Sequence, residues 1–500
     1  MSIETVDVLI MGAGLSGIGA ACHLRRECPT KSFAILEARE SLGGTWDLFR
    51  YPGIRSDSDM YTLGYNFKPW TNPKAIADGS SILQYIRDTA KEFGVERYIR
   101  YKHKIVSADW SSEQAQWTVN VQRTDSGETI QIRCNFLVGC TGYYNYAAGF
   151  TPQFEGRENF KGTVIHPQFW PENLDYSGKR VVVIGSGATA VTLVPAMTDK
   201  AAQVTMLQRS PTYVASVPLE DKLSNTLRRY LPEKLVYRMA RTRNVGFQMA
   251  FYNLARKRPK AIRRLLLDHV KQRVGPNFDM AHFTPKYNPW DERLCAVPNG
   301  DLFRVIRKGK ASVVTDHIER FVENGIQLKS GKLLEADIII TATGLDLQLL
   351  GGAALSLDGK PFDLSKTMNY KGAMFRDLPN FAMMFGYTNA SWTLKSDITS
   401  EYICRLLKLM DKKGARQCTP RVKDGSVHEE PFLDFQSGYV QRALSKLPRQ
   451  GSKSPWKLYQ NYALDLAMLR YGKLEDGWLE FSHPALSRNR QAAHLSRAAG

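Results

Sequence analysis

Two stretches constrain this chain more than any others: "LIMGAGLSGIGAACHL", starting at Leu9, and "VVVIGSGATAVTLV", starting at Val181. In the first, the β-branched run "VDVLI" predicts a buried strand, Gly12-x-Gly14-x-x-Gly17 follows at once, and apolar periodicity through "IGAACHL" predicts a helix. The glycines allow a tight turn and close backbone approach. A pyrophosphate can then sit on the amides of the helix N-terminus, where the helix dipole favours negative charge. Glu37 closes the next strand, "SFAIL", 20 residues after Gly17. A carboxylate there accepts hydrogen bonds from both ribose hydroxyls and repels a 2′-phosphate.

The second copy differs at the ribose position. Gly185-x-Gly187-x-x-Ala190, with Ala188 and Thr189 opening the helix, follows the strand "KRVVVIG", but the next strand, "QVTML", runs into Gln208, Arg209 and Ser210 with no acid. Arg209 stands 19 residues after Ala190 and offers a guanidinium suited to bidentate phosphate contact. That pattern favours NADPH over NADH. One loop for an FAD-type dinucleotide and one for NADPH explains the repeat, because a hydride must pass between two bound cofactors.

Charge and cysteines narrow the class further. The net charge is +19, and the segment from Asp221 to Arg273 holds 15 Lys or Arg against three acids, so it alone contributes +12. Aromatic and aliphatic residues interrupt the basic run, which predicts amphipathic helices with basic, solvated outer faces; contact with an anionic membrane surface is the alternative. Nucleic acid is not expected, since no recognition module accompanies the charge. Seven cysteines without a CxxC pair argue against a disulfide framework, a zinc site and a redox-active dithiol beside the flavin; Cys22 and Cys28 fall in the first helix and its exit. No metal is expected. No run reaches the roughly 18 apolar residues of a membrane span, and "MSIETVDVLI" lacks the basic start of a secretory signal, so the expected location is the cytoplasm.

Two nucleotide loops without a redox dithiol leave a flavin monooxygenase. Between the loops, Phe160-x-Gly162-x-x-x-His166-x-x-x-Trp170-Pro171 resembles the fingerprint of the Baeyer–Villiger (class B flavin) monooxygenases. "GGTW" at Gly43–Trp46, "YPGIRSD" at Tyr51–Asp57, "RLC" at Arg293–Cys295 and "TATG" at Thr341–Gly344 extend the likeness. "RYPGIRSDSDMYTLGYNFKPW", "YNPWDERLCAVPNGDLF" and "GYTNASWTLKSD" resemble the subgroup of ethionamide-activating monooxygenases.

The resemblance implies a reaction and assigns residues to it. NADPH reduces FAD, oxygen adds at flavin C4a, and the anionic peroxide attacks a ketone to give an ester or lactone, with sulfur oxygenation as a related activity. Arg293 takes the place of the catalytic arginine, which remains protonated at any working pH, and Asp57 that of its orienting partner. Ser16, Glu37, Gly44, Thr45, Trp46 and Val106 are the implied FAD contacts beside the glycine loop, and Arg55 and Ser56 the implied contacts to NADP. His166 is a residue of the segment joining the nucleotide units rather than a base. Glu292 departs from relatives that carry a lysine there, which throws phosphate binding onto Arg209.

The order of these pieces predicts an α/β architecture with two Rossmann-like units. Residues 1–145 begin an FAD unit that 346–486 complete, 150–345 form the NADP unit with a helical insertion at about 212–292, and 487–500 form a disordered tail. The insertion's aromatic and aliphatic stretch "RMARTRNVGFQMAFYNLA" is expected either to line a tunnel for a small apolar ketone or thio-compound or simply to pack helix on helix. The rival functions are an N- or S-oxygenating flavin monooxygenase and an NADPH oxidase or sensor with no oxygenated product. The oligomeric state is left open.

Overall fold

The computed structural model describes residues 3–292, 294–433 and 438–483. β1 (Glu4–Met11) enters the core, α1 (Leu15–Glu27) follows its glycine turn, and β2 (Phe33–Leu36) is buried along its whole length. α1 ends with Arg25 and Arg26 in its last turn, where cations suit the negative end of the helix dipole. Short helices α2 (Thr45–Leu48) and α3 (Met60–Leu63) lead to α4 (Gly79–Glu92), which the Asp78 carboxylate caps by accepting from the Ser81 amide at 2.9 Å. β3 (Ile99–Arg100), β4 (His103–Ser111), β5 (Gln116–Arg123) and β6 (Thr129–Gly139) complete the run. β3, β2, β1 and β6 lie side by side and parallel, while β5 runs antiparallel to β6 and β4 antiparallel to β5.

After β7 (Tyr144–Gly149) a second α/β unit repeats the pattern: β8 (Thr163–Ile165), β9 (Arg180–Ile184), α5 (Ala188–Met197), β10 (Gln203–Gln208). β11 (Val214–Val217) leads into α6 (Lys222–Leu227), α7 (Glu233–Lys257) and α8 (Pro259–Val274), and β12 (Cys295–Pro298) returns parallel to β11. α9 (Asp301–Arg307), β13 (Ala311–Thr315), the antiparallel β14 (Ile318–Val322), β15 (Gly325–Leu328) and β16 (Leu333–Glu335), and β17 (Ile338–Thr341) follow. The second sheet runs β13-β10-β9-β17-β8, all parallel. β18 (Leu345–Leu347) pairs antiparallel with β7, so the two crossings between units lie against each other. The chain then rejoins the first sheet: β19 (Ala354–Leu357) runs parallel to β4, β20 (Lys360–Phe362) edges it, and Phe381–Met383 lies parallel to the end of β6. α10 (Trp392–Lys413) covers α1. The architecture is α/β with two Rossmann-like units.

The helical insertion belongs in sequence to the second unit but docks on the first. α7 buries Val236, Tyr237, Ala240 and Arg241 on the side facing α3. Arg241 donates to the carbonyls of Tyr61 at 2.8 Å and Gly64 at 2.7 Å and pairs with Asp397 of α10 at 3.0 Å. One turn on, the Asn244 and Gln248 amides donate to the Asp59 carboxylate at 2.9 and 3.0 Å. An ion pair shut away from water contributes little net stability, but losing one partner strands the other and costs about 3 to 5 kcal/mol. The clamp therefore selects one docking of the insertion over others.

His23 of α1 shares this buried network, with Nδ1 2.9 Å from Glu27 and Nε2 3.6 Å from Asp397. Burial alone would depress its pKa; the contacts to Asp397 and Glu27 outweigh burial and push it up to about 9. Because the folded pKa lies above the unfolded value, the stabilisation is complete below pH of about 6.5 and is lost as pH rises through about 9. The stability difference between the parent and His23→Gln is therefore expected to shrink steadily between those two pH values, as read from denaturation midpoints of both proteins. A difference that grows with pH would contradict this assignment.

Candidate active site between the two nucleotide loops

Each glycine loop opens onto a helix without a side-chain cap. Gly14 precedes α1 and Gly187 precedes α5, neither with a side-chain capping bond, so first-turn amides are left for an anion. Gly12 has φ +98°, and a Cβ on Gly17 would fall 1.9 Å from the Gly12 carbonyl oxygen, so helix and turn meet with no room for a side chain. Gly187 faces open space, and a Cβ there would meet no other group within 4 Å. Gly185 lies against the Ala342 carbonyl, Ala188 and Thr189 open α5, and Ala190 is buried behind the loop.

The ribose-side carboxylate stands where the first motif predicts. Glu37 follows β2, is 7% exposed, and accepts from the Ala13 amide at 2.8 Å and the Arg39 amide at 3.0 Å. Burial pushes its carboxyl up while these two amides pull it back. Val106 lies at an irregularity of β4, in the register shift between Ile105 and Ser107. Ser16 accepts from the Trp392 indole N–H at 2.7 Å. Gly44 caps α2 beside Gly14, with the Tyr146 hydroxyl close by, Thr45 opens α2, and Trp46 packs against the first unit's core.

"YPGIRSD" bridges the two units. It leaves the first, yet a Cβ on Gly53 would lie 2.5 Å from the Ala196 Cβ of α5. Tyr51 lies beside Thr189 and feels the charges of Asp57 and Arg55; burial, the largest influence, pushes its phenol up to about 12. Arg55 forms a two-pronged ion pair with Asp301 at the start of α9, so the guanidinium expected at the coenzyme already has a carboxylate partner. Ser56 is buried and donates to the Ser58 carbonyl at 2.6 Å, and Asp57 is on the exposed bend that follows.

The "YNPWDE" segment arrives from the other side. Trp290 has φ 73°, a strained conformation for a bulky residue, and its ring meets Tyr252 of α7 edge-on at 5.5 Å. Arg256 of α7 holds Asp291 at 2.7 Å. Past Arg293, which lies outside the described residues, Cys295 donates from its backbone to the Tyr213 carbonyl at 2.8 Å, and its thiol lies 3.9 Å from the Ser186 carbonyl of the second glycine loop. The second glycine loop thus meets Cys295 directly, and the Tyr51–Asp57 bridge brings a stretch of the first unit against the helix that this loop opens.

This geometry has relatives. The flavin-binding monooxygenase-like pattern matches residues 69–350, more than half of the chain, and residues 10–70 match the NAD(P)-binding Rossmann-like domain. The chain belongs to the flavin-binding monooxygenase-like family. The FAD-containing monooxygenase EthA of Mycobacterium tuberculosis is 55% identical over 481 residues, covering 96% of this chain and 98% of that one. Open cyclohexanone monooxygenase superposes with a TM-score of 0.74 at 20% identity, over 96% of this chain and all of that one. OTEMO in complex with FAD and NADP gives 0.74 at 19%, with the same coverage. At such identities the structural likeness is one of fold.

In this flavin monooxygenase the fingerprint is a joint between units. Phe160 is buried against Phe321, and Gly162 lies tight against the Asp337 carbonyl. Trp170 packs on the second unit's core. His166 Nε2 is 3.0 Å from the Gly344 carbonyl and must donate to it, while Nδ1 accepts from the Gln168 amide at 3.2 Å. Burial lowers its pKa despite the Gly344 bond, so the ring is neutral with both nitrogens engaged. That leaves no nitrogen for proton transfer, in keeping with the joining role. The ring fills the space of the missing side chain at Gly149 of β7, where a Cβ would lie 2.1 Å from His166 Cε1.

On the coenzyme side, Arg209 is exposed and Glu292 half-buried nearby. Burial raises the Glu292 carboxyl and the Arg209 charge opposes the rise, so the two side chains sense each other. Ser210 accepts at its carbonyl from the Ser186 hydroxyl at 3.2 Å, which ties the end of β10 to the second glycine loop. Sequence reasoning does not single out Tyr51, Tyr146, Asp301 or Trp392. Trp392 and Tyr51 stand inside the motifs "GYTNASWTLKSD" and "YPGIRSD" and are findable there; Tyr146 and Asp301 carry no local signal.

Two expectations follow. Gly149→Ala overpacks the imidazole, and His166→Ala opens the space that the new methyl needs; the double variant should recover about 1 kcal/mol or more of the summed losses in thermal stability. Strict additivity would separate the two positions. Arg209→Ala should raise the KM for NADPH by about 2 to 3 kcal/mol more than that for NADH, and Glu292→Gln should lower the NADPH value, in steady-state kinetics. Equal effects on both coenzymes would remove Arg209 from the 2′-phosphate.

Proposed function

We propose that this chain is an FAD-dependent, NADPH- and O2-consuming Baeyer–Villiger monooxygenase that inserts one oxygen atom beside the carbonyl of a small apolar ketone, and that also oxygenates sulfur in thio-compounds. The observation that carries the reading is the Tyr51–Asp57 bridge, which starts at the first glycine loop's unit and packs against the helix of the second. Hydride transfer between two cofactors needs such a junction, because neither loop alone brings two dinucleotides together.

The residues fit the implied cofactors. The amides after Gly12, Gly14 and Gly17 suit the FAD pyrophosphate and the Glu37 carboxylate suits ribose hydroxyls, beside Ser16, Gly44, Thr45, Trp46 and Val106. The amides at Gly185–Ala190, with Arg209 and Ser210, suit NADPH, whose far end would meet Arg55, Ser56 and Asp57. Bound there, the flavin would accept hydride and activate oxygen. The protein's own part is to orient, to exclude water and to place charge. Arg293 is assigned the positive charge that stabilises a developing oxyanion; a guanidinium does this without surrendering a proton. Asp57 orients that guanidinium. Asp301, by holding Arg55, keeps a second guanidinium close at hand with its charge balanced.

Arg293→Ala should therefore retain FAD and still oxidise NADPH, while ester formation falls by about 10²- to 10³-fold, the cost of losing one preorganised donor, and oxygen is returned as hydrogen peroxide. Product analysis on a series of ketones and one thioether measures this. Ester from the variant at near the parental rate would overturn the role of Arg293. Sulfoxide alone from the parent would favour an N- or S-oxygenating enzyme, and peroxide alone an oxidase.

A further inference from the structure

α7 is apolar on two sides, and the protein covers only one of them. The inner side carries Val236, Tyr237 and Ala240 against the first unit. On the outer side Leu235, Met239, Phe247 and Leu254 recur at spacings of one or two helical turns, and Phe247 is 70% exposed. Leu265 of α8 is 58% exposed, and Leu223 and Tyr230, at and after α6, are exposed as well. Seven of the twelve large apolar side chains exposed among the described residues thus fall between Leu223 and Leu265. Within the stretch read as a tunnel lining or a packing face, Phe247 and Leu254 are exposed. The other expectation, basic and solvated outer faces, does not by itself call for an apolar stripe of this length.

The charges around the stripe say what covers it. The segment's three acids are already engaged: Asp221 with Arg243, Glu233 with Arg228 at 3.8 Å and Asp268 with Arg264 at 3.7 Å. Lys234, Arg238, Lys257, Arg258, Lys260 and Lys271 are all exposed, and none has an ion-pair partner among the described residues. An apolar stripe flanked by uncompensated lysines and arginines, with every acid of the 221–273 segment already paired, matches a layer of anionic headgroups above hydrocarbon. No helix among the described residues is long and apolar enough to cross a membrane, so the contact is peripheral.

We propose that the outer face of α6–α8 docks the protein on an anionic lipid surface, with Phe247 and Leu254 entering the headgroup–acyl boundary and the neighbouring lysines and arginines at phosphate level. The inference is independent of the reaction proposed above. The test uses the full-length, FAD-saturated protein and sedimentation with vesicles of phosphatidylcholine alone or mixed with phosphatidylglycerol. Binding is expected only to the mixed vesicles at low salt, fading as the Debye length shrinks toward about 8 Å. The double variant Phe247→Ser, Leu254→Ser, which leaves the charge unchanged, should bind roughly tenfold more weakly or worse, since both side chains lose apolar burial. Unchanged FAD content and melting temperature would show that the variant is folded. No binding of the parent to mixed vesicles at low salt overturns the proposal. So does equal binding by the variant, which would mean adsorption by charge alone. A variant that changes oligomeric state while the parent ignores vesicles would instead assign the face to a second copy of the chain.

Discussion

Gly53 packs so closely on α5 that a methyl group there would lie 2.5 Å from the Ala196 Cβ and 3.1 Å from the Thr192 carbonyl. This contact ties a loop of the first nucleotide unit to the helix that opens the second. The Tyr51–Thr189 approach and the Arg55–Asp301 ion pair are made by the same seven-residue stretch, so they inherit their geometry from it. A side chain at Gly53 would lift the loop, separate those partners and change the spacing between the glycine loops. Other features of the junction, including the His166 joint, operate within the distance that this packing sets.

The joint and the insertion hold the units by different means. At the joint, a neutral imidazole fills the space of the missing side chain at Gly149 and donates to the Gly344 carbonyl, so shape and one hydrogen bond do the holding. At the insertion, charges are buried: Arg241 meets Asp397 and two carbonyls, and the Asp59 carboxylate meets two side-chain amides. Such groups gain little over apolar packing in energy, yet any shifted docking would leave one of them unpaired. The segment "YNPWDE" depends on this docking, since Arg256 and Tyr252 of α7 hold Asp291 and Trp290.

The nucleotide loops differ in their electrostatics more than in their backbones. Both present uncapped helix starts to an anion, but Glu37 is buried and braced by two amides, whereas Arg209 is exposed with Glu292 near it. A buried carboxylate is a fixed acceptor with a strong veto on phosphate. An exposed guanidinium near an acid is an adjustable donor, and its preference for a phosphorylated ribose rests on how far Glu292 competes.

Local sequence determined the parts whose physics is local. Strand, glycine turn and helix could be placed at Gly12–Gly17 and Gly185–Ala190 because the apolar period and the residues needed for a tight turn all lie within some twenty positions. Glu37 and Arg209 followed from the length of one helix and one strand. Arg293 rests on the resemblance of "YNPWDERLCAVPNGDLF", being itself outside the described residues. Tertiary structure decided what depends on distant partners. His166 looks like a base in isolation and becomes a structural ring only because Gly149 and Gly344 come to it. Arg55 looks free until Asp301, 246 residues away, is folded beside it. The apolar residues of α7 follow one helical period whether they face a tunnel, a core or the outside. Only docking through Arg241 and Asp59 shows which side is covered, because a helix's own pattern records that a face is apolar but not what lies against it.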